Sequence, residues 1–109
     1  MFEKEIADIS VTEGNKKEQL FQLAKKCAKL LKNKYEIRKI FLIGSLVEGH
    51  FHDKSDIDLV VVGLIPELHI KALTELYDLL PGGVELNLIP FEDAFNSLKE
   101  KTIKKGMLL

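Results

Sequence analysis

The sequence predicts an α/β (α+β) fold, a two-layer domain in which helices pack on a small mixed β-sheet. Three observations predict it. Short runs rich in β-branched and apolar residues recur at 37–43, 57–62 and 84–89, the length and composition of strands. Residues 16–34 and 66–79 instead space their apolar side chains every three or four positions, as amphipathic helices do. The first two runs are joined by about thirteen residues, enough for a turn and a loop but not for a long crossover helix.

The elements follow in order. Residues 1–11 are ambiguous, although Phe2, Ile6 and Ile9 have helical spacing. Residues 12–15 read as a loop ending in a helix cap. Leu20, Leu23, Ala24, Cys27, Leu30 and Leu31 mark the buried side of a helix from Lys16 to Lys34, with Lys25, Lys29 and Lys32 on its wet face. Ile37 to Ile43 is a strand that ends at Gly44-Ser45. Leu46 to Gly49 makes a helical turn, and His50 to Ser55 is polar loop. Ile57 to Val62 is the second strand. Pro66 suits the first turn of a helix carrying Leu68, Leu73, Leu76 and Leu79, which stops before Pro81-Gly82-Gly83. Val84 to Ile89 is the third strand. Residues 90–93 open a final helix whose first-turn acids suit its positive dipole end. Ile103 to Leu109 reads as an apolar tail packed back on the domain.

Bulk properties bound the function. The 109 residues fit a single domain spanning 1–109, and 46% hydrophobic with 30% charged residues is an ordinary globular balance. The net charge of −1 gives no reason to expect nucleic acid as the main partner. Charge is unevenly spread: residues 16–39 hold nine Lys/Arg against two acids, and residues 48–100 hold eleven acids against three lysines. The plain reading is a solvated basic helix followed by an acidic half. Cys27, the single cysteine, forms no internal disulfide and reads as core filler. The N-terminus lacks a signal-peptide pattern, and the apolar stretch Leu59 to Ile65 is too short to cross a bilayer. A cytoplasmic protein without membrane contact is expected.

Chemistry concentrates at the start of the second strand. Asp56 and Asp58 flank Ile57, and strand alternation turns both carboxylates to one face. Two adjacent like charges call for a cation, and oxygen ligands suit Mg²⁺, or Mn²⁺ in its place. Glu85 on the third strand completes a three-carboxylate cluster if that strand lies beside the second. Asp-x-Asp alone is a weak signal. Upstream, Gly44 lets a backbone approach a ligand closely, and Ser45 with the following N–H groups makes a phosphate cradle. His50, His52 and Asp53 fall short of a structural zinc site.

Taken together, Phe41-Leu42-Ile43-Gly44-Ser45, then Gly49, then Ser55-Asp56-Ile57-Asp58-Leu59-Val60-Val61-Val62 resembles the signature of the polymerase-β-like nucleotidyltransferase superfamily, and most of all its minimal nucleotidyltransferases. Val84-Glu85-Leu86 stands where that family places its third carboxylate. The closing residues 103–109 resemble the family's usual C-terminal end, so a complete chain is expected. The resemblance covers residues from about 37 onward.

It implies a metal-dependent enzyme that transfers a nucleoside monophosphate, most simply AMP from ATP, to a hydroxyl. Asp56, Asp58 and Glu85 would be catalytic and hold two Mg²⁺ ions. Gly44, Ser45, Gly49, Lys54 and Ser55 would bind the nucleotide. The family's third carboxylate is commonly Asp, and relatives often carry Arg where Leu46 and Glu48 stand here. Lys54 would compensate for those arginines. Asn87 shares the strand face of Glu85 and reads equally as a support for the metal ligands or as an ordinary polar residue of a strand edge. Minimal nucleotidyltransferases are often paired with a small helical HEPN protein in toxin–antitoxin systems, so the resemblance implies the antitoxin of such a pair. The alternative is a nucleotide-binding module that neutralises its partner by occlusion, without turnover. Neither reading excludes a homo-oligomer.

Overall fold

The computed structural model describes residues 12–48 and 56–109. Helix α1 spans Thr12–Tyr35, one turn earlier at its start than expected. Extending an existing helix adds one hydrogen bond per residue fixed. That gain offsets the cost of about 1 kcal/mol that Gly14 carries inside a helix. The helix ends at Glu36, which takes a left-handed conformation with φ of 56°. The reversal turns the Ile37 N–H back to the Leu31 carbonyl at 3.4 Å. Two residues expected in the first strand are consumed by this turn, so β1 runs only from Lys39–Ile43.

A single helical turn, α2, follows at Ser45–Glu48. Strand β2 is Asp56–Val62. A 3₁₀ turn at Pro66–Leu68, with proline in its first turn, leads into α3 at His69–Asp78. Strand β3 is Glu85–Pro90. Helix α4 is Asn96–Lys105, and strand β4 is Met107–Leu108.

Two expectations change in this C-terminal part. The acids at 92–93 do not open the final helix. They sit in a 3₁₀ turn, Phe91–Asp93, separated from α4 by extended Ala94 and Phe95. Glu92 is used elsewhere: its Oε2 accepts the Gly63 N–H at 2.8 Å and ties off the end of β2. The tail expected at 103–109 divides into the last turn of α4 and a fourth strand. Gly106 makes the corner between them. A Cβ there would stand 2.5 Å from the Thr102 carbonyl oxygen, which already accepts the Gly106 N–H at 2.9 Å.

The sheet order is β3-β2-β1-β4. β1 pairs antiparallel with β2 and with β4, while β2 and β3 are parallel. The short β1–β2 connection permits the antiparallel pair, and α3 supplies the crossover that a parallel pair requires. This is the mixed sheet expected, with β4 unforeseen.

Strand alternation divides the sheet into two faces. Ile40, Leu42, Ile57, Leu59, Val61, Leu86 and Leu88 form one core with Leu20, Ala24, Cys27 and Leu31 of α1 and Ala72 and Leu76 of α3. Burial pushes the Cys27 thiol up to about 11, as befits a core side chain. Ile43, Val60 and Thr102 are buried outside that core cluster. Lys25, Lys29 and Lys32 are exposed, as the periodicity required.

Helix α3 also seals the outer edge of β3. The Tyr77 hydroxyl accepts the Leu86 N–H at 2.9 Å and donates to the Leu86 carbonyl at 3.3 Å. His69 Nε2–H donates to the Leu88 carbonyl at 2.9 Å. Among the described residues no helix is long and apolar enough to cross a membrane.

Candidate functional site

The site is built where β1 ends and β2 begins. Antiparallel register sets Ile43 opposite Asp58, so the residue after Ile43 lies against the Asp58 side chain. That residue is Gly44, with φ of +90°. A Cβ at this position would stand 2.5 Å from Asp58 Oδ2. Glycine is therefore required twice over, by the left-handed backbone and by the carboxylate beside it. The Gly44 carbonyl accepts the Val47 N–H at 3.1 Å and starts α2, of which Ser45 is the first residue.

The parallel register brings β3 to the same place. Glu85 lies opposite Asp56 and Asn87 opposite Asp58. All four side chains leave the sheet on the face away from the main core, because Ile57, Leu86 and Leu88 occupy the other. Asp56 and Asp58 are half-buried, whereas Glu85 and Asn87 are exposed. Asn87 Nδ2–H donates to Asp58 Oδ1 at 2.6 Å. An ionised carboxylate only accepts hydrogen bonds, so the NH₂ end of the amide must face it.

The structure thus brings together Gly44, Asp56, Asp58 and the start of β3, with Ser45 next in the chain. Glu85 shares the row with Asp56, yet among the described residues no three His, Cys, Asp or Glu side chains converge closely enough to hold a metal ion. Gly49, Lys54 and Ser55 lie outside the described residues, as does the His50-Phe51-His52-Asp53 segment. Sequence reasoning placed Asn87 on this face but did not give it the direct contact with Asp58. The signal available was its two-residue spacing from Glu85.

The donor set fits a hard divalent cation. Mg²⁺ commonly takes only one or two protein carboxylates and completes its shell with water and substrate phosphates. Asp56 and Asp58, half-buried on one face of the sheet beside the bare backbone of Gly44, would supply the carboxylates of such a shell. A cavity of about 470 Å³ exists elsewhere, between α1 and β4, lined by Lys25, Lys29, Lys32, Met107 and Leu108. It contains none of the carboxylates and is not this site.

The profile of the family described as polymerase beta, nucleotidyltransferase, matches residues 25–109. The chain belongs to that family. Two proteins of Methanocaldococcus jannaschii whose names propose a protein adenylyltransferase are similar to this nucleotidyltransferase. One is 35% identical over 88 residues, covering 72% of this chain and 86% of the relative. The other is 26% identical over 95 residues, covering 83% and 93%. A crystal structure of a toxin–antitoxin complex with AMP-PNP contains a chain of the same fold. It superposes with a TM-score of 0.65 at 25% identity, over 78% of this nucleotidyltransferase and 70% of that chain.

Proposed function

We propose that this nucleotidyltransferase moves AMP from ATP to a hydroxyl on a partner protein, and that it serves as the antitoxin beside a small helical HEPN-type toxin. The observation that carries the reading is the pairing of Asp56 and Asp58 on one open face, with Asp58 lying directly against Gly44. The relatives named for protein adenylylation and the toxin–antitoxin neighbour bound to an ATP analogue support the substrate and the role.

In this reading a divalent ion, Mg²⁺ or Mn²⁺, neutralises the triphosphate and lowers the pKa of the acceptor hydroxyl when bound. The chain's own residues do the rest. Asp56 and Asp58 would hold that ion through their carboxylate oxygens, and only through it would they orient the phosphates. Gly44 leaves room for the distal phosphates and Ser45 contacts them; these two phosphates depart as pyrophosphate when the acceptor oxygen bonds to the α-phosphorus and the α–β phosphoanhydride bond breaks. Glu85, at the exposed rim beside Asp56, completes the acceptor side and receives the hydroxyl proton. Gly49, Lys54 and Ser55 contact the nucleotide. Asp56→Asn with Asp58→Asn removes two repelling charges and leaves a folded protein that no longer binds nucleotide in a metal-dependent way.

The exposure of Glu85, with no third carboxylate gathered to the pair among the described residues, gives the occlusion alternative a specific basis. One experiment separates the readings: mass spectrometry of the partner after incubation with ATP and Mg²⁺. A mass increase of one AMP is expected with wild type and is lost in the double mutant. Glu85→Gln should reduce transfer on the order of 10²–10⁴-fold, the range for a removed general base, while sparing nucleotide binding. Glu85→Asp should retain transfer. A wild-type chain that silences its partner without modifying it overturns the transferase reading.

A further inference from the structure

We propose that Asn87 is a positioning residue that presets Asp58 for the metal–nucleotide complex, so that the two aspartates meet the cation unequally prepared. The inference rests on the reading of Asp58 as a metal ligand.

Asp58 is held at one oxygen, and the other lies in the space that a side chain at position 44 would fill. Oδ1 takes the Asn87 amide hydrogen at 2.6 Å, and Oδ2 lies where only a residue without Cβ can stand, beside Gly44. A carboxylate turns about two side-chain bonds, and the hydrogen bond at Oδ1 limits both. Asp56 lies across from Glu85, which as a carboxylate has no hydrogen to give. The parallel register produces the difference: it sets a neutral donor beside one aspartate and a second acid beside the other.

Asparagine is suited to this position. Aspartate there would place a like charge against Asp58 with no hydrogen to give. Leucine would leave Oδ1 free to rotate away. The amide holds one lone pair of Oδ1 and leaves Oδ2 and the remaining lone pair for a cation. Hydrogen-bond partners of this kind typically change metal affinity by about 10–100-fold when removed, because the ligand must otherwise be ordered when the ion binds.

Asn87 is exposed, so substitutions should fold. The test measures Mn²⁺ affinity by electron paramagnetic resonance, in the presence of a non-hydrolysable ATP analogue. It compares wild type, Asn87→Leu, Asn87→Ala, Asn87→Gln and Asp58→Asn. Both Asn87→Leu and Asn87→Ala should weaken Mn²⁺ binding about tenfold or more. They should raise the metal concentration for half-maximal transfer with little change in kcat at saturating metal. Asn87→Gln keeps the donor and should restore most of the affinity. Wild-type affinity in both truncations, or a loss that Asn87→Gln does not repair, overturns the proposal. The Asp58→Asn arm tells the two failures apart. If it abolishes Mn²⁺ binding while the Asn87 variants keep it, only the positioning role falls. If it too binds normally, the metal reading of the site falls as well.

Discussion

At the scale of single residues, Gly44 is the most constrained position of the site, for a reason the sequence only half disclosed. Its place after a buried strand suggested close approach by a ligand. The structure adds a neighbour within the protein, since Asp58 Oδ2 occupies the space a Cβ would need. Even Gly44→Ala should therefore displace the carboxylate. The left-handed backbone adds about 1–2 kcal/mol of strain for a residue with a Cβ. The expected outcome is a lower urea midpoint together with weaker metal-dependent nucleotide binding, and Gly44→Val should show both more strongly. A Gly44→Ala protein with wild-type binding would remove Gly44 from the site. Asp56 and Asp58 were legible because alternation on a strand is a strict rule. Asn87 was half legible: its face followed from the same rule, but its partner depended on a strand register that one sequence does not reveal.

At the scale of elements, the tie between α1 and α3 is a shared carboxylate. Glu75 of α3 accepts Lys34 Nζ at 2.6 Å and the Tyr35 hydroxyl at 2.5 Å. Lys34, then Tyr35, hold the Glu75 carboxyl below its ordinary 4.5. Burial, with Glu75 adding to it, pushes Tyr35 up to about 12. A lowered carboxyl pKa means the folded state favours the charged form. Its contribution to stability is present above the unfolded value and disappears as pH falls through the folded one. The melting temperature of Glu75→Gln should thus lie below that of wild type near neutrality, and the gap should close in acid below pH 4.5. A gap independent of pH would mean that packing, not charge, holds the helices together. Helix α1 and the three longer strands were readable from periodicity and composition. Strand β4 was not, because two residues carry no period, and its pairing with Phe41 and Leu42 is a distant contact. The start of α4 was misread because Glu92 serves the end of β2 rather than a helix dipole.

At the scale of the whole molecule, the larger core lies between one face of the sheet and helices α1 and α3, and Cys27 lies fully inside it. Its thiol, pushed up to about 11 by burial, is neutral and inaccessible at ordinary pH, while the thiolate is the reactive form. Alkylation of the native protein should therefore proceed only through opening of the core, at a rate that tracks the equilibrium stability while reclosing outpaces labelling. Labelling of Cys27 across a urea series should follow the same transition as circular dichroism. Rapid modification of the native chain would show that α1 lifts independently of the sheet.

The seal that α3 places on β3 has a consequence for solubility. An open strand edge is a template on which another chain can polymerise. Here the Leu86 N–H and carbonyl are engaged by Tyr77 and the Leu88 carbonyl by His69, and Pro90 brings no N–H at all. The opposite rim, β4, is only two residues long and lies beside the lysines of α1. Neither rim invites fibril growth while α3 is seated. Helix α3 therefore acts as a shutter, and the Lys34–Glu75 pair is part of its latch. Displacement of α3 from Leu86–Ile89 would bare the β3 edge while the rest of the sheet stays formed, and a Glu75→Gln chain should therefore aggregate sooner than wild type in light scattering under mild destabilisation.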